Sequence, residues 1–409
     1  MSILPLPVIV VDARQFCSGG NAVSVGAAET VYGRRARSGM DDQREIVAFL
    51  STPAAYGAAT GEIVRHATHG SRVFLVGRDA YKLKRAIAYE YLDYATVARR
   101  RAMCEAELDA NRRLAPELYL DVVPVIRDPA GGLRIGRAGE TVGAVDWLVH
   151  MRRFAGGTLF ETLRGGSRPG PGAMRTLAER IAAFHTAAPR TESFGGAAGI
   201  AAVLDENRRA LTEAGLDAAM IAELDRRSRD KLAELAALLD ARRTSGFVRR
   251  CHGDLHLNNL CWIDGEAVPF DAIEFNESFV CIDVLYDLAF LLMDLEHNAL
   301  RAHANLLLNR YLEQTGDYAG LAALPLFLSC RAALRAHVTM SAAALEGGTR
   351  ERRPMADALL ERALEFLAPH PVCLAAIGGV SGTGKSTAAA QLAPALGAAP
   401  GAIVLRSDV

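Results

Sequence analysis

The sequence has no Cys-x-x-Cys pair, no excess of either charge and no run of about 18 uncharged apolar residues. Each absence removes a class of protein. The seven cysteines are odd in number and scattered, which excludes a disulfide framework or a zinc ribbon and fits reduced intracellular thiols. Cys251 and Cys261 read as small buried hydrophobes. Lysine plus arginine number 46 against 47 acids, so bulk electrostatics gives no reason to expect a nucleic-acid or membrane-surface partner. Without a long apolar run no transmembrane helix is expected. The apolar opening from Ile3 to Val11 lacks a basic leader and a small-residue cleavage site, so it does not read as a signal peptide. The expectation is a cytoplasmic protein whose oligomeric state the sequence does not specify.

What is present is globular: 409 residues, half of them hydrophobic and 23% charged, with length for at least two cores. The most informative stretch is His252-Gly253-Asp254-Leu255-His256-Leu257-Asn258-Asn259, followed by Asp271 after the apolar Val268-Pro269-Phe270. An acid five residues before an amide, then a second acid downstream, suits phosphoryl transfer. That chemistry needs positioning and charge neutralisation more than covalent steps. Asp254 would orient an acceptor hydroxyl and take its proton. Asn259 and Asp271 would hold the Mg²⁺ that bridges ATP phosphates. A zinc pair from His252 and His256 is disfavoured, because Gly253 stands where metalloprotease helices need Glu and Asn258-Asn259 oppose a helix.

These residues resemble the catalytic loop and metal-binding acid of the aminoglycoside phosphotransferase-like kinases, relatives of the protein kinases. His252, Asp254 and Asn259 keep the register of H-R-D-x-x-x-x-N, with Gly253 in place of Arg, and Asp271-Ala272-Ile273 replaces D-F-G. The resemblance implies an α+β, bilobal protein-kinase-like fold: a small β-rich N-lobe over 40–152 and a mostly helical C-lobe over 153–345. Residues 1–39 read as a disordered or spurious extension.

Short strands are expected at Ser71–Val76 and Tyr81–Lys84, and a helix from Thr96 to Leu114. Lys82 and Lys84 share one strand face, so the pattern does not choose between them; the resemblance favours Lys84 as the lysine on the ATP phosphates. Glu105 and Glu107 both lie on the helix. The match of Glu107-Leu108-Asp109-Ala110-Asn111-Arg112-Arg113 to the family pattern favours Glu107 as partner of that lysine. His185 reads as a buried hydrogen-bonding histidine. Asp283 and Asp287, four apart, would support the catalytic loop. Glu277, Asp283, Asp287, Asp294 and Glu296 are the acids that could make a pocket for a polycationic antibiotic.

A second nucleotide motif follows a helical linker over 346–371, which a break at Glu346-Gly347-Gly348 introduces. Gly379-Val380-Ser381-Gly382-Thr383-Gly384-Lys385-Ser386-Thr387 matches the P-loop, between a strand-like Val372–Ile377 and an Ala-rich helix. Gly379, Gly382 and Gly384 would let backbone N–H groups wrap phosphates. Lys385 would add charge, Ser386 would supply a hydroxyl to Mg²⁺, and Thr387 is counted with the nucleotide-binding residues. With Ala402–Asp408 as a second strand, 372–409 reads as the first βαβ unit of a P-loop α/β domain (AAA-type or small-kinase-like) cut off near its start. The implied activity is a kinase using ATP and Mg²⁺ on a small-molecule hydroxyl. The rivals are a non-catalytic nucleotide-binding module, or a sensor for the P-loop domain.

Overall fold

The computed structural model describes residues 42–405 apart from 58–60, 69, 89–91, 155, 156 and 347; the extension expected over 1–39 and the end of the second P-loop strand lie outside the described residues. Two compact units are present. The first runs to Ser167 and takes back Asn258–Phe279; the second holds Arg168–Leu257 and the chain from Val280 onward.

The first unit begins with α1 (Arg44–Leu50), which buries Ile46 and Leu50 on one face. Strands β1 (Val64–Ala67), β2 (Ser71–Val76) and β3 (Asp79–Lys84) follow as antiparallel hairpins. Val76 pairs Asp79, so the β2–β3 turn has two residues, and Gly77 at φ +56° takes the left-handed conformation such turns require. Helix α2 (Val97–Arg112) starts at Thr96, whose hydroxyl accepts the Arg99 N–H. Strands β4 (Tyr119–Arg127), β5 (Leu133–Ile135) and β6 (Ala144–Arg152) complete a six-stranded sheet in the order β1-β2-β3-β6-β4-β5. Helix α3 (Leu159–Arg164) opens on a capping box from Thr158 and Glu161. Period-2 alternation divides the sheet. Val73, Leu75 and Val149 pack with Cys104 and Leu108 of α2, while Phe74, Leu83 and Leu148 pack with Ile46 and Leu50 of α1.

The second unit is helical. It contributes α4 (Pro171–Ala187), α5 (Gly196–Glu213), α6 (Ala218–Thr244) and the short strand β7 (Val248–Arg250) before the catalytic-loop sequence. The chain then re-enters the first unit for the hairpin of β8 (Leu260–Ile263) and β9 (Glu266–Pro269). It leaves by α7 (Glu277–Val280) and β10 (Cys281–Asp283), which pairs β7. Helices α8 (Val284–His297), α9 (Arg301–Thr315), α10 (Leu324–Glu346), α11 (Thr349–Phe366) and α12 (Lys385–Leu392) follow. The stretch Ala319–Ala344 is long and apolar enough to cross a membrane, but 72% of its apolar window is buried inside the protein, the mark of a core helix. Helix α11, expected within a linker, buries Ala356, Leu359, Leu360 and Ala363 in this unit.

The βαβ unit expected at 372–409 is not formed among the described residues; only its helix is. Val372–Ile377 is irregular, with Val372 and Leu374 exposed, and among the described residues no strand follows β10. A strand needs a partner for its backbone groups, and here a helix supplies one instead. On α9, Asn305 and Asn309 donate to the Ala402 carbonyl at 3.0 and 3.3 Å, Asn309 accepts the Val404 N–H at 2.7 Å, and Arg301 donates to the Pro394 and Gly397 carbonyls.

The buried anchor of the second unit is Arg242. Its guanidinium grips Asp283 at 2.7 and 2.8 Å and Asp317 at 2.6 and 2.8 Å. A Cβ on Gly320 would stand 2.3 Å from that guanidinium, so the approach needs glycine there. Removing one partner of a buried ion pair strands the others without compensation. Arg242→Ala should therefore cost about 3–5 kcal/mol, read as a lower urea midpoint. A loss below about 1 kcal/mol would show that the two acids find other partners.

Candidate active site

In the second unit, one carboxylate fixes the catalytic loop. Asp287, on the first turn of α8, is fully buried and accepts the backbone N–H groups of His252 at 3.1 Å and Gly253 at 2.8 Å. His185 of α4 reaches the same acid at 3.1 Å and contacts the Tyr311 hydroxyl at 2.9 Å, a buried hydrogen-bonding histidine as its sequence context suggests. Burial pushes the Asp287 carboxyl up, but His185, with His252 and Arg331, outweighs it and holds the group below the usual range. Gly253, at φ +84°, gives the loop its left-handed turn. Downstream, Asp294 accepts the Leu257 N–H at 2.9 Å. Asp283 does not serve the loop: it caps α8 through the Leu285 N–H and pairs with Arg242.

Held this way, Asp254 keeps a fifth of its side-chain surface open. Burial raises its carboxyl, but His256 at 3.4 Å, with His252 and Arg335, outweighs that and holds it at about 2. His252 supports the loop from within, its Nδ1 accepting the Asp254 N–H at 3.2 Å.

In the first unit, β3 and α2 build an alternating row of charge. Lys82 Nζ lies 2.7 Å from Glu107 Oε1 and 2.8 Å from Asp271 Oδ1. Lys84 Nζ lies 2.7 Å from Glu107 Oε2 and 2.5 Å from Glu274 Oε1. Burial alone would lower both lysines; Asp271 and Glu107 raise Lys82, Glu107 and Glu274 raise Lys84, and both remain ammonium ions. Glu107 is raised by burial and lowered more by the two lysines, to about 2. Glu107 rather than Glu105 is thus the helix carboxylate; Glu105 pairs with Arg101 on the exposed side. The surroundings of the two lysines differ. Lys84 is fully buried between two carboxylates, whereas Lys82 is the amine beside Asp271 and is partly open.

Asp271 sits at φ +62°, an unfavourable backbone for a non-glycine residue, and three contacts hold it there. The Tyr119 hydroxyl accepts its N–H at 3.1 Å. Asn111 accepts the next N–H, of Ala272, at 2.8 Å and donates to the Ala272 carbonyl at 3.4 Å. Asn259 stands at the same end of the β8–β9 hairpin, its carbonyl accepting the Phe270 N–H at 2.9 Å. Asp271 and Asn259 thus belong to the same hairpin end, and each carries a side-chain oxygen, the kind of hard donor that suits Mg²⁺.

Sequence reasoning passed over Glu274, Tyr94, Tyr119 and the clamping role of Asn111. Tyr94 donates its hydroxyl to Glu274 at 2.8 Å, 180 residues away in sequence, a contact no local pattern encodes. The P-loop residues lie in the second unit. Gly382 and Gly384 are left-handed at φ +82° and +84°, Gly379 is at φ +154°, and Lys385 Nζ donates to the Val380 carbonyl at 2.8 Å. Ser386 and Thr387 are exposed in the first turn of α12.

Comparison with known proteins follows this geometry. An uncharacterized protein of Mycobacterium tuberculosis, and one of Mycobacterium bovis, are each 29% identical over 337 residues, 81% of this chain and 65% of theirs; the chain thus spans about 65% of the length of these curated relatives. Among solved structures, a choline/ethanolamine kinase family protein from Mesorhizobium loti is similar at 16% identity. It covers 79% of this chain and 98% of its own, with a TM-score of 0.44. A choline kinase from Cryptosporidium parvum is similar at 14% identity, 80% and 95% coverage and a TM-score of 0.45. The family described as "Phosphotransferase enzyme family" matches residues 66–324, well over half the chain. With the catalytic-loop acid, the lysine–glutamate row and the downstream aspartate all inside that span, the chain belongs to the phosphotransferase enzyme family.

Proposed function

We propose that this chain is a small-molecule kinase that moves the γ-phosphoryl group of ATP, with Mg²⁺, to an acceptor hydroxyl. The observation that carries the reading is Lys82, an ammonium ion shared between Glu107 and Asp271 at 2.7 and 2.8 Å. A cation fixed by a helix carboxylate and touching the metal-binding acid is what a bound triphosphate needs. In this reading Lys82 turns toward the phosphates, and Glu107 fixes its reach. Lys84 neutralises the other oxygen of Glu107, so that the carboxylate stays put when Lys82 moves. Asn259 and Asp271 would hold Mg²⁺, which when bound neutralises phosphate charge. Asp254 accepts a hydrogen bond from the acceptor hydroxyl. The acceptor oxygen forms its bond to phosphorus, the bond to the ADP oxygen breaks with its electron pair leaving on ADP, and the hydroxyl proton passes to Asp254. With its carboxyl held at about 2, Asp254 is a weak base. That suits a loose transition state, in which the nucleophile loses its proton late.

The P-loop sequence supports a second phosphate site, the start of a fused nucleotide-binding domain. Two left-handed glycines precede a helix N-terminus, and Lys385 closes over the loop carbonyl of Val380. If that site binds ATP, Lys385→Ala should remove one class of nucleotide site while Asp271→Asn removes another. A single class, lost with Asp271→Asn alone, would leave the motif without a ligand.

Asp254→Ala should lower kcat by about 10²- to 10⁴-fold and leave the Kd for ATP within about twofold. Unchanged turnover would sink the assignment. The two lysines should separate. Lys82→Met should raise the KM for ATP and lower kcat with a modest stability loss. Lys84→Met should mainly destabilise, by about 3–5 kcal/mol, because Glu274 and one oxygen of Glu107 lose their buried cation. The reverse pattern would return the phosphate role to Lys84. Chelating divalent metal should abolish transfer, and Mg²⁺ should restore it.

A further inference from the structure

The kinase reading leaves the acceptor open, and the surroundings of Asp254 within the second unit narrow it. A polycationic acceptor would need carboxylates with no other occupation. Asp287 is taken by the loop backbone and His185, and Asp283 by Arg242 and the α8 cap. Asp294 is taken by the Leu257 N–H and Asn298; Glu296 is buried, one oxygen 3.8 Å from Arg301 and the other enclosed without a hydrogen-bond partner. Glu277 belongs to the other unit. All four are buried, and three of them are fully engaged within the protein.

A cation is available instead. Arg331 of α10 lies under the loop, its guanidinium stacked 3.9 Å from the Tyr286 ring and donating to the Tyr286 carbonyl at 3.1 Å and the Gly253 carbonyl at 3.4 Å. Its work is structural. Arg335 is one helical turn further along α10, on the same face as Arg331. It is half-buried, and its charge acts on Asp254 and on His297 at the end of α8. Among the described residues its guanidinium makes no ion pair or hydrogen bond. A half-buried arginine one turn along from the Arg331 that touches the catalytic loop, with no ion pair of its own among the described residues, is built to receive an oxyanion.

We propose that the acceptor is an anionic alcohol, a hydroxyl compound bearing a carboxylate or a phosphate, and that Arg335 binds that anion while Asp254 takes the hydroxyl. The inference rests on the kinase reading. The acceptor oxygen bonds to the γ-phosphorus, ADP leaves with the electron pair of the broken bond, the proton goes to Asp254, and the anionic group is unchanged. Arg335 is a specificity residue that touches the acceptor away from the reacting atoms.

The test is a γ-phosphate transfer screen on the full chain with Mg-ATP. Hydroxy acids, sugar phosphates, neutral sugars and cationic amino alcohols, aminoglycosides included, form four arms. The wild-type protein should turn over one of the two anionic arms best, and which one distinguishes carboxylate from phosphate. For that acceptor, Arg335→Ala should raise KM by about 10- to 100-fold and Arg335→Lys by less, with the KM for ATP within about twofold in both. Preferred turnover of neutral or cationic acceptors would overturn the proposal and leave the kinase reading standing. An Arg335→Ala effect confined to ATP would do the same. Transfer to no acceptor in any arm would remove both.

Discussion

Glu107 is the constraint on which the charged row of the first unit depends. It is a fully buried carboxylate whose two oxygens are claimed by two different lysines. Burying a single charge of this kind would cost several kcal/mol, and burying it between cations from the neighbouring strand recovers that only if the geometry is fixed. The fixing is visible along α2, where Arg100, Cys104, Glu107 and Asn111 form one buried stripe at 4-3-4 spacing. Arg100 pairs with Asp146 of β6 at 2.8 Å, Glu107 holds both β3 lysines, and Asn111 clamps the backbone after Asp271. The helix thus docks through polar contacts, each needing its own partner, and an axial slip of one residue would break all of them together. An apolar face would tolerate such a slip far better.

The second unit uses the same device with the signs arranged differently. There the ordered element is backbone: Asp287 accepts two successive N–H groups of the catalytic loop, and Asp294 a third, four residues on. The carboxylate acts as a template for the loop conformation, and His185 with Tyr311 holds the template. The loop is therefore ordered by helices behind it, with the Asp254 carboxylate facing His256 at 3.4 Å. In the proposed kinase such pre-organisation sets Asp254 in place before an acceptor arrives, so binding energy is not spent on ordering it.

How legible this was depends on how local each feature is. The β2–β3 hairpin, α2 with its Thr96 cap, and the break before α11 follow from period, capping and glycine. The acid–amide spacing from Asp254 to Asn259 is also a local signal. The choice between Lys82 and Lys84 is not, because both sit on one strand face and the difference lies in Asp271 and Glu274, about 190 residues away. Sequence period identifies the face and stops there. Asp283 and Asp287 show the same limit: four apart on paper, one caps a helix and pairs with Arg242 while the other holds the catalytic loop.

The P-loop segment shows where a strong local signal and tertiary context part. Its glycines and its helix are short-range features, and both are present: two left-handed glycines lead into α12. Its strands are not short-range. A parallel strand is stable only with neighbours on its edges and layers on both faces. Among the described residues, 372–377 has no such neighbour, and 402–404 meets the side chains of Asn305 and Asn309. Those asparagines and Arg301 recur every four residues on α9, a polar ladder that satisfies backbone groups a sheet would otherwise pair. The ladder and a β-sheet compete for the same carbonyl of Ala402 and the same N–H of Val404. If 402–404 paired as a strand in a P-loop sheet, it would have to give up its hold on α9. Strand formation in that segment and its docking on the kinase-like helices are therefore alternative uses of one stretch of backbone.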